Sequence, residues 1–145
     1  MPTWWNAQTV IRKNYHTDFV NIAGSSMDPR HVRRIKIIQN LFAYSFENLQ
    51  GNLPFPDEPK SKKIIADLDP IDKYIKTHAP RYPLKNISKI DLAILRASVY
   101  ELMLEKKTPQ KVIINEAVEL AKELSGENSY AFINAVLGKI MNEKS

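Results

Sequence analysis

Residues Ile90 to Leu102 read IDLAILRASVYEL. Apolar side chains fall at Ile90, Leu92, Ala93, Ile94, Leu95, Ala97, Val99, Tyr100 and Leu102, so on a helix they cover almost the whole circumference. Through Leu104, only Asp91, Ser98, Glu101 and Glu105 make a narrow polar stripe. A helix with so little polar surface is buried on most sides, and this one is expected to be the central helix of its fold. Ser88 starts it, with Asp91 three residues on as an imperfect capping box.

Downstream, Thr108-Pro109 opens a helix that runs to about Leu124, with an apolar stripe at Ile113, Ala117, Leu120, Ala121 and Leu124. Ser125-Gly126 ends it. Asn128 or Ser129 opens the last helix, with Phe132, Ile133, Val136, Leu137 and Ile140 inward. Upstream, Ile64, Leu68, Ile71 and Ile75 also keep helical spacing, but Pro70 interrupts them. Either two short helices meet there, with Asp69 capping the second, or one helix kinks.

From Pro29 to about Leu49, Val32, Ile35, Ile38, Leu41, Phe42, Phe46 and Leu49 trace an amphipathic helix. Asp28 is its N-cap and Pro29 its first residue. Gly51 to Pro59 holds Pro54, Pro56 and Pro59 and reads as a loop; Ala79 to Leu84, with Pro80 and Pro83, is another connection. No strand alternation competes anywhere. The expected fold is all-α, a compact bundle of about five to seven helices.

The chain of 145 residues is sized for one domain. Residues 1–26 do not resemble the rest. Trp4 and Trp5 are adjacent, no period is clear, and the segment ends in Gly24-Ser25-Ser26. We expect the domain to span residues 27–145, starting near Met27. Residues 1–26 are then an extension, or else an ordered arm that packs its tryptophans on the domain.

With no cysteine, disulfides and thiolate metal sites are excluded. His16, His31 and His78 are scattered without ligand spacing, so no metal or other cofactor is expected. There is no Gly-rich phosphate loop, no nucleophile with a nearby histidine and no paired acidic motif, so an enzyme is not expected. No apolar run is long enough to span a membrane, and the first residues lack a signal-peptide pattern, which makes the cytoplasm the expected location. The Asn86-Ile87-Ser88 sequon is a chance match there.

The net charge of +5 favours an anionic partner only weakly. Its distribution is more telling. Arg30, Arg33, Arg34 and Lys36 cluster at the start of the first helix, and Gln39 and Asn40 continue its polar side. Arginine donates paired hydrogen bonds to phosphate, and glutamine can read base edges. A charge run is also what an ordinary solvated face looks like. Reading single-stranded RNA takes an aromatic or amide surface as well. Asn128, Ser129, Tyr130 and Asn134, at the start of the last helix, can supply one. Arg96, opposite Asp91 on the central helix, needs a buried carboxylate, and Glu116 is the expected partner in a structural ion pair.

Three segments in order, IDLAILRASVYEL, VIINEAVELAK (Val112 to Lys122) and AFINAVL (Ala131 to Leu137), together with RRIKIIQNLFAYSF (Arg33 to Phe46), resemble the NusB family of transcription antitermination factors. The resemblance runs from about Asp28 to Ile140. It implies an all-helical, non-enzymatic adaptor that binds boxA-type RNA of ribosomal RNA transcripts with the ribosomal protein NusE. The assembly joins RNA polymerase and suppresses termination. It also implies RNA contacts at Arg30, Arg33, Arg34, Gln39, Asn128, Tyr130, Phe132 and Asn134, and a protein partner near Asp91. The chain departs from the family in its middle, where Gln50 to Ser61 leaves little room for the usual further helix, and at Ala135, where glycine often follows the motif's asparagine.

Two other functions compete with this one. The first is a self-associating, dimeric interaction protein whose basic face is buried or irrelevant. The second is a ribosomal RNA maturation factor without antitermination activity, including a free-standing relative of the helical domain that precedes certain ribosomal RNA cytosine methyltransferases.

Overall fold

The computed structural model describes residues 28–126 and 128–144. The expected extension of residues 1–26 and the domain start at Met27 lie outside the described residues. Among the described residues there are six α-helices and no strand, as the all-α reading requires. They are α1 (Pro29–Tyr44), α2 (Pro59–Ala66), α3 (Leu68–His78), α4 (Lys89–Val99), α5 (Gln110–Leu124) and α6 (Ser129–Lys144). The chain divides into two compact units, one ending at Ser61 and the other beginning at Lys62. No helix among the described residues is long and apolar enough to cross a membrane.

In the first unit, Asp28 caps α1 by accepting from the Arg30 amide at 2.9 Å, and Pro29 takes the first turn, where its missing N–H costs nothing. The helix ends at Tyr44, earlier than the apolar spacing predicts. Ser45 turns its hydroxyl back onto the Phe42 carbonyl, and Phe46 is extended. A short 3-10 turn, Glu47–Leu49, follows. This break seats Leu49 beside Ala43, with Phe42, Phe46 and Phe55 packed around them. Phe42 and Phe46 meet T-shaped at 5.3 Å between ring centroids.

The proline-rich loop is built around Asn40, which is fully buried. Its Oδ1 accepts from the Phe55 amide at 2.8 Å. Its Nδ2 donates to the Phe55 carbonyl at 2.8 Å and to Ser61 Oγ at 2.9 Å. Glu58 then caps α2 by accepting from the Ser61 amide at 2.7 Å. The short connection is thus fixed to the helix it follows. The reading of Asn40 as part of an exposed polar side is corrected here.

α2, which runs across the boundary at Ser61, and α3 are separate helices. Asp67, not Asp69, holds the N-cap position, and Pro70 sits inside the first turn of α3, where no intrahelical amide bond is lost. The central helix is α4, which packs against α3, α5 and α6. Ile94, Leu95 and Val99 on α4 are fully buried, as are Ile71, Ile75, Ala121, Ile133 and Leu137 on its neighbours. Each such Ile, Leu or Val side chain contributes about 1.5–3 kcal/mol by leaving water. The helix continues as a π-helix, Tyr100–Glu105, closed by a bond from the Lys106 amide to the Glu101 carbonyl at 3.0 Å. Lys106 takes the left-handed conformation (φ 57°) that ends it.

Polar links join the helices of the second unit as well. The Arg96 guanidinium forks onto Asp72 of α3, with Nε 2.9 Å from Oδ1 and Nη2 3.0 Å from Oδ2. The carboxylate that takes the fork is therefore Asp72 rather than Glu116, because α4 turns Arg96 toward α3. His78, at the end of α3, lies with Nδ1 2.7 Å from the Tyr74 carbonyl oxygen and Nε2 2.5 Å from Glu143 on α6.

Candidate nucleic-acid interface

Arg30 and Arg33 are exposed at the start of α1, while Arg34 and Lys36 are half-buried. Lys36 Nζ lies 5.7 Å from the centroid of the Phe55 ring, over a face that the Asn40 bonds hold in place. A groove of about 740 Å³ runs between this helix start and the loop, lined by Val32, Arg33, Lys36, Pro54, Phe55 and Pro59 among others. Gln39 does not belong to this surface. Only 2% of it is exposed, and neither of its side-chain amide atoms has a hydrogen-bond partner among the described residues. It cannot read a base edge from there, which corrects its placement among the RNA-contacting residues. The apolar stripe of α1 is wider than its spacing suggests, because Ile37 and Gln39 are buried alongside Ile35 and Ile38.

At the start of α6, Asn128, Tyr130 and Asn134 are exposed and Phe132 is half-buried. At about 100° per residue, Phe132 falls on one edge of the exposed arc of α6 and Tyr130 and Asn134 on the other, while Asn128 sits in the turn before the helix. The exposed Ala131 and Ala135 lie between these two edges. Lys122 of α5 places its Nζ 5.2 Å from the Tyr130 ring centroid. On the opposite edge, the Phe132 ring meets Tyr82 at 5.1 Å in a T-shaped contact. Neither Lys122 nor Tyr82 stands out in the sequence as a binding residue. The available signal for Tyr82 was its place between Pro80 and Pro83, beside Arg81.

Asp91 is buried rather than displayed. Its carboxylate accepts from Ser125 Oγ at 2.6 Å and from Ser129 Oγ at 2.9 Å. Its amide donates to Ser88 Oγ at 3.2 Å, completing half of the expected capping box. Asp91 thus positions the start of α6. Beside it, Ser88 and Lys89 are exposed.

The NusB family model matches residues 61–142, more than half of the chain. The chain belongs to the NusB family. It is 42% identical over 99 residues to the transcription antitermination protein NusB of Clostridium novyi, a match covering 66% of this chain and 74% of that protein. It is 48% identical over 80 residues to the protein of the same name from Clostridium botulinum (strain Kyoto), covering 55% and 56%. The chain thus spans little more than half the length of the C. botulinum relative. The solved structure of T. maritima NusB matches with a TM-score of 0.66 at 31% identity, covering 80% of this chain and 92% of that one. The NusB family match contains Asp91, Arg96 and the start of α6, while the basic start of α1 lies before it.

Proposed function

We propose that this NusB-family chain is an RNA-binding antitermination adaptor. It binds boxA-type RNA of ribosomal RNA transcripts together with a NusE-type ribosomal protein, and brings them to RNA polymerase. The observation that carries the reading is the exposed amide and aromatic surface at the start of α6, formed by Asn128, Tyr130 and Asn134. Such a surface suits unstacked bases of a single strand. The basic start of α1 supplies the phosphate-neutralising charge, through Arg30 and Arg33 with the half-buried Arg34.

The test is binding of a boxA-like RNA against a scrambled RNA of equal length, with and without the NusE-type protein, at two salt concentrations. Preference for boxA that strengthens with the partner is the expected result. Equal, salt-sensitive binding of both RNAs would reduce the chain to a basic helical domain.

A further inference from the structure

We infer that Tyr82 is a base-stacking residue, which extends the proposed RNA surface from α6 onto the connection between α3 and α4. The inference rests on the RNA-binding reading and adds a contact to it. Among the large hydrophobic residues described, Tyr82 is the most exposed, at 52%. Phe132 is half-buried, and its ring already engages Tyr82. The ring offered to solvent at this edge of α6 is therefore that of Tyr82.

The ring is also held in place. Pro80 and Pro83 restrict the backbone on either side, and the Tyr82 amide donates to the Ala79 carbonyl at 3.0 Å. The T-shaped contact with Phe132 fixes the side chain from below. A ring held this way loses little freedom when a base stacks on it. The charges beside it favour an anionic strand: Arg81 and Lys85 are both exposed. Asn128, exposed in the turn just before α6, offers an amide that can bond a base edge. An aromatic ring, adjacent cations and an amide are together what single-stranded RNA uses, whereas a purely apolar partner would leave the cations without a role.

The test uses the full chain and a fluorescein-labelled boxA-like RNA at fixed salt. Tyr82→Ala is expected to weaken binding roughly tenfold, the size of one lost base stack, and Tyr82→Phe to restore it. Because Tyr82 is exposed, both variants should melt close to wild type. An RNA carrying 5-iodouracil should crosslink to Tyr82 on irradiation. If Tyr82→Ala binds like wild type while Arg33→Ala binds less, the inference falls and the RNA-binding reading stands. If wild type binds no RNA, both fall. If Tyr82→Ala also melts early, the crosslink decides: a crosslink at Tyr82 supports the inference, and crosslinks confined to other residues overturn it. A drop from dimer to monomer mass in Tyr82→Ala would assign the ring to a second copy of the chain and overturn it too.

Discussion

Asp91 Oδ2 accepts a hydrogen bond from Ser129 Oγ at 2.9 Å, so the first turn of the central helix holds the first residue of α6. Ser125 Oγ, from the end of α5, binds the other carboxylate oxygen at 2.6 Å. One buried carboxylate therefore gathers three helix ends. A hydrogen bond to a charged group contributes about 1.5–3 kcal/mol, and its loss leaves that charge less solvated. Ser129→Ala should lower unfolding stability by that amount, as measured by urea denaturation. A value near zero would mean that water replaces the hydroxyl.

The Arg96 fork leads to a second expectation. Both side chains are largely buried, at 13% and 18% exposed. Removing one partner leaves the other charge without its bidentate bond. Asp72→Ala should therefore cost about 3 kcal/mol. A double-mutant cycle should show strong coupling between Arg96 and Asp72 and weak coupling between Arg96 and Glu116. Equal coupling to both carboxylates would contradict the fork.

Much of the fold was legible because periodicity reports burial directly. The near-complete apolar circumference of Ile90 to Leu102 marked the central helix, and α4 is buried as that pattern demands. Partner choice was harder to read. A buried arginine needs a carboxylate, but which one depends on the helix it faces, here α3 with Asp72, and spacing within α4 carries no such information. The same limit applied to polar residues. Gln39 and Asn40 look like a continuation of the basic side, yet both are buried, Asn40 to fix a loop through bonds that span 15 and 21 positions. The exposure of Tyr82 likewise depends on how the connection between α3 and α4 meets α6. Short motifs located the candidate surface, and tertiary contacts decided which rings it shows.

Asn40 makes three hydrogen bonds, two to the backbone of Phe55 in the loop and one to Ser61 at the start of α2. Asn40→Ala should lower stability by about 2 kcal/mol, given that loop groups released to water recover part of the loss. The local effect is more specific. Amide exchange at Phe55 should accelerate well beyond the global change, because its partner is the Asn40 carbonyl oxygen. Unchanged exchange there would show that the prolines alone hold the loop.

Arg30 and Arg33 are exposed and should act on RNA through phosphate neutralisation. For single strands, each phosphate contact contributes about 0.7 to the slope of log affinity against log salt. Arg33→Ala should lower that slope by about 0.7 and weaken boxA-like and scrambled RNA alike. A loss confined to the boxA-like sequence would instead assign Arg33 to a base.

Gln39 presents the opposite case. It is 2% exposed, and among the described residues neither amide atom has a hydrogen-bond partner. A buried amide that gave up water without gaining hydrogen bonds carries an uncompensated desolvation cost of about 1–3 kcal/mol. Leucine occupies similar volume without that cost. Gln39→Leu should therefore raise stability by about 1 kcal/mol, after allowance for imperfect shape complementarity. It should leave RNA affinity and its salt slope as in wild type, because the side chain does not reach the surface. Thermal melting and RNA titration of the same preparation check both halves. A stabilised variant with reduced boxA preference would mean that the helix exposes Gln39 when RNA binds. A destabilised one would reveal a bound water or a polar partner that satisfies the amide.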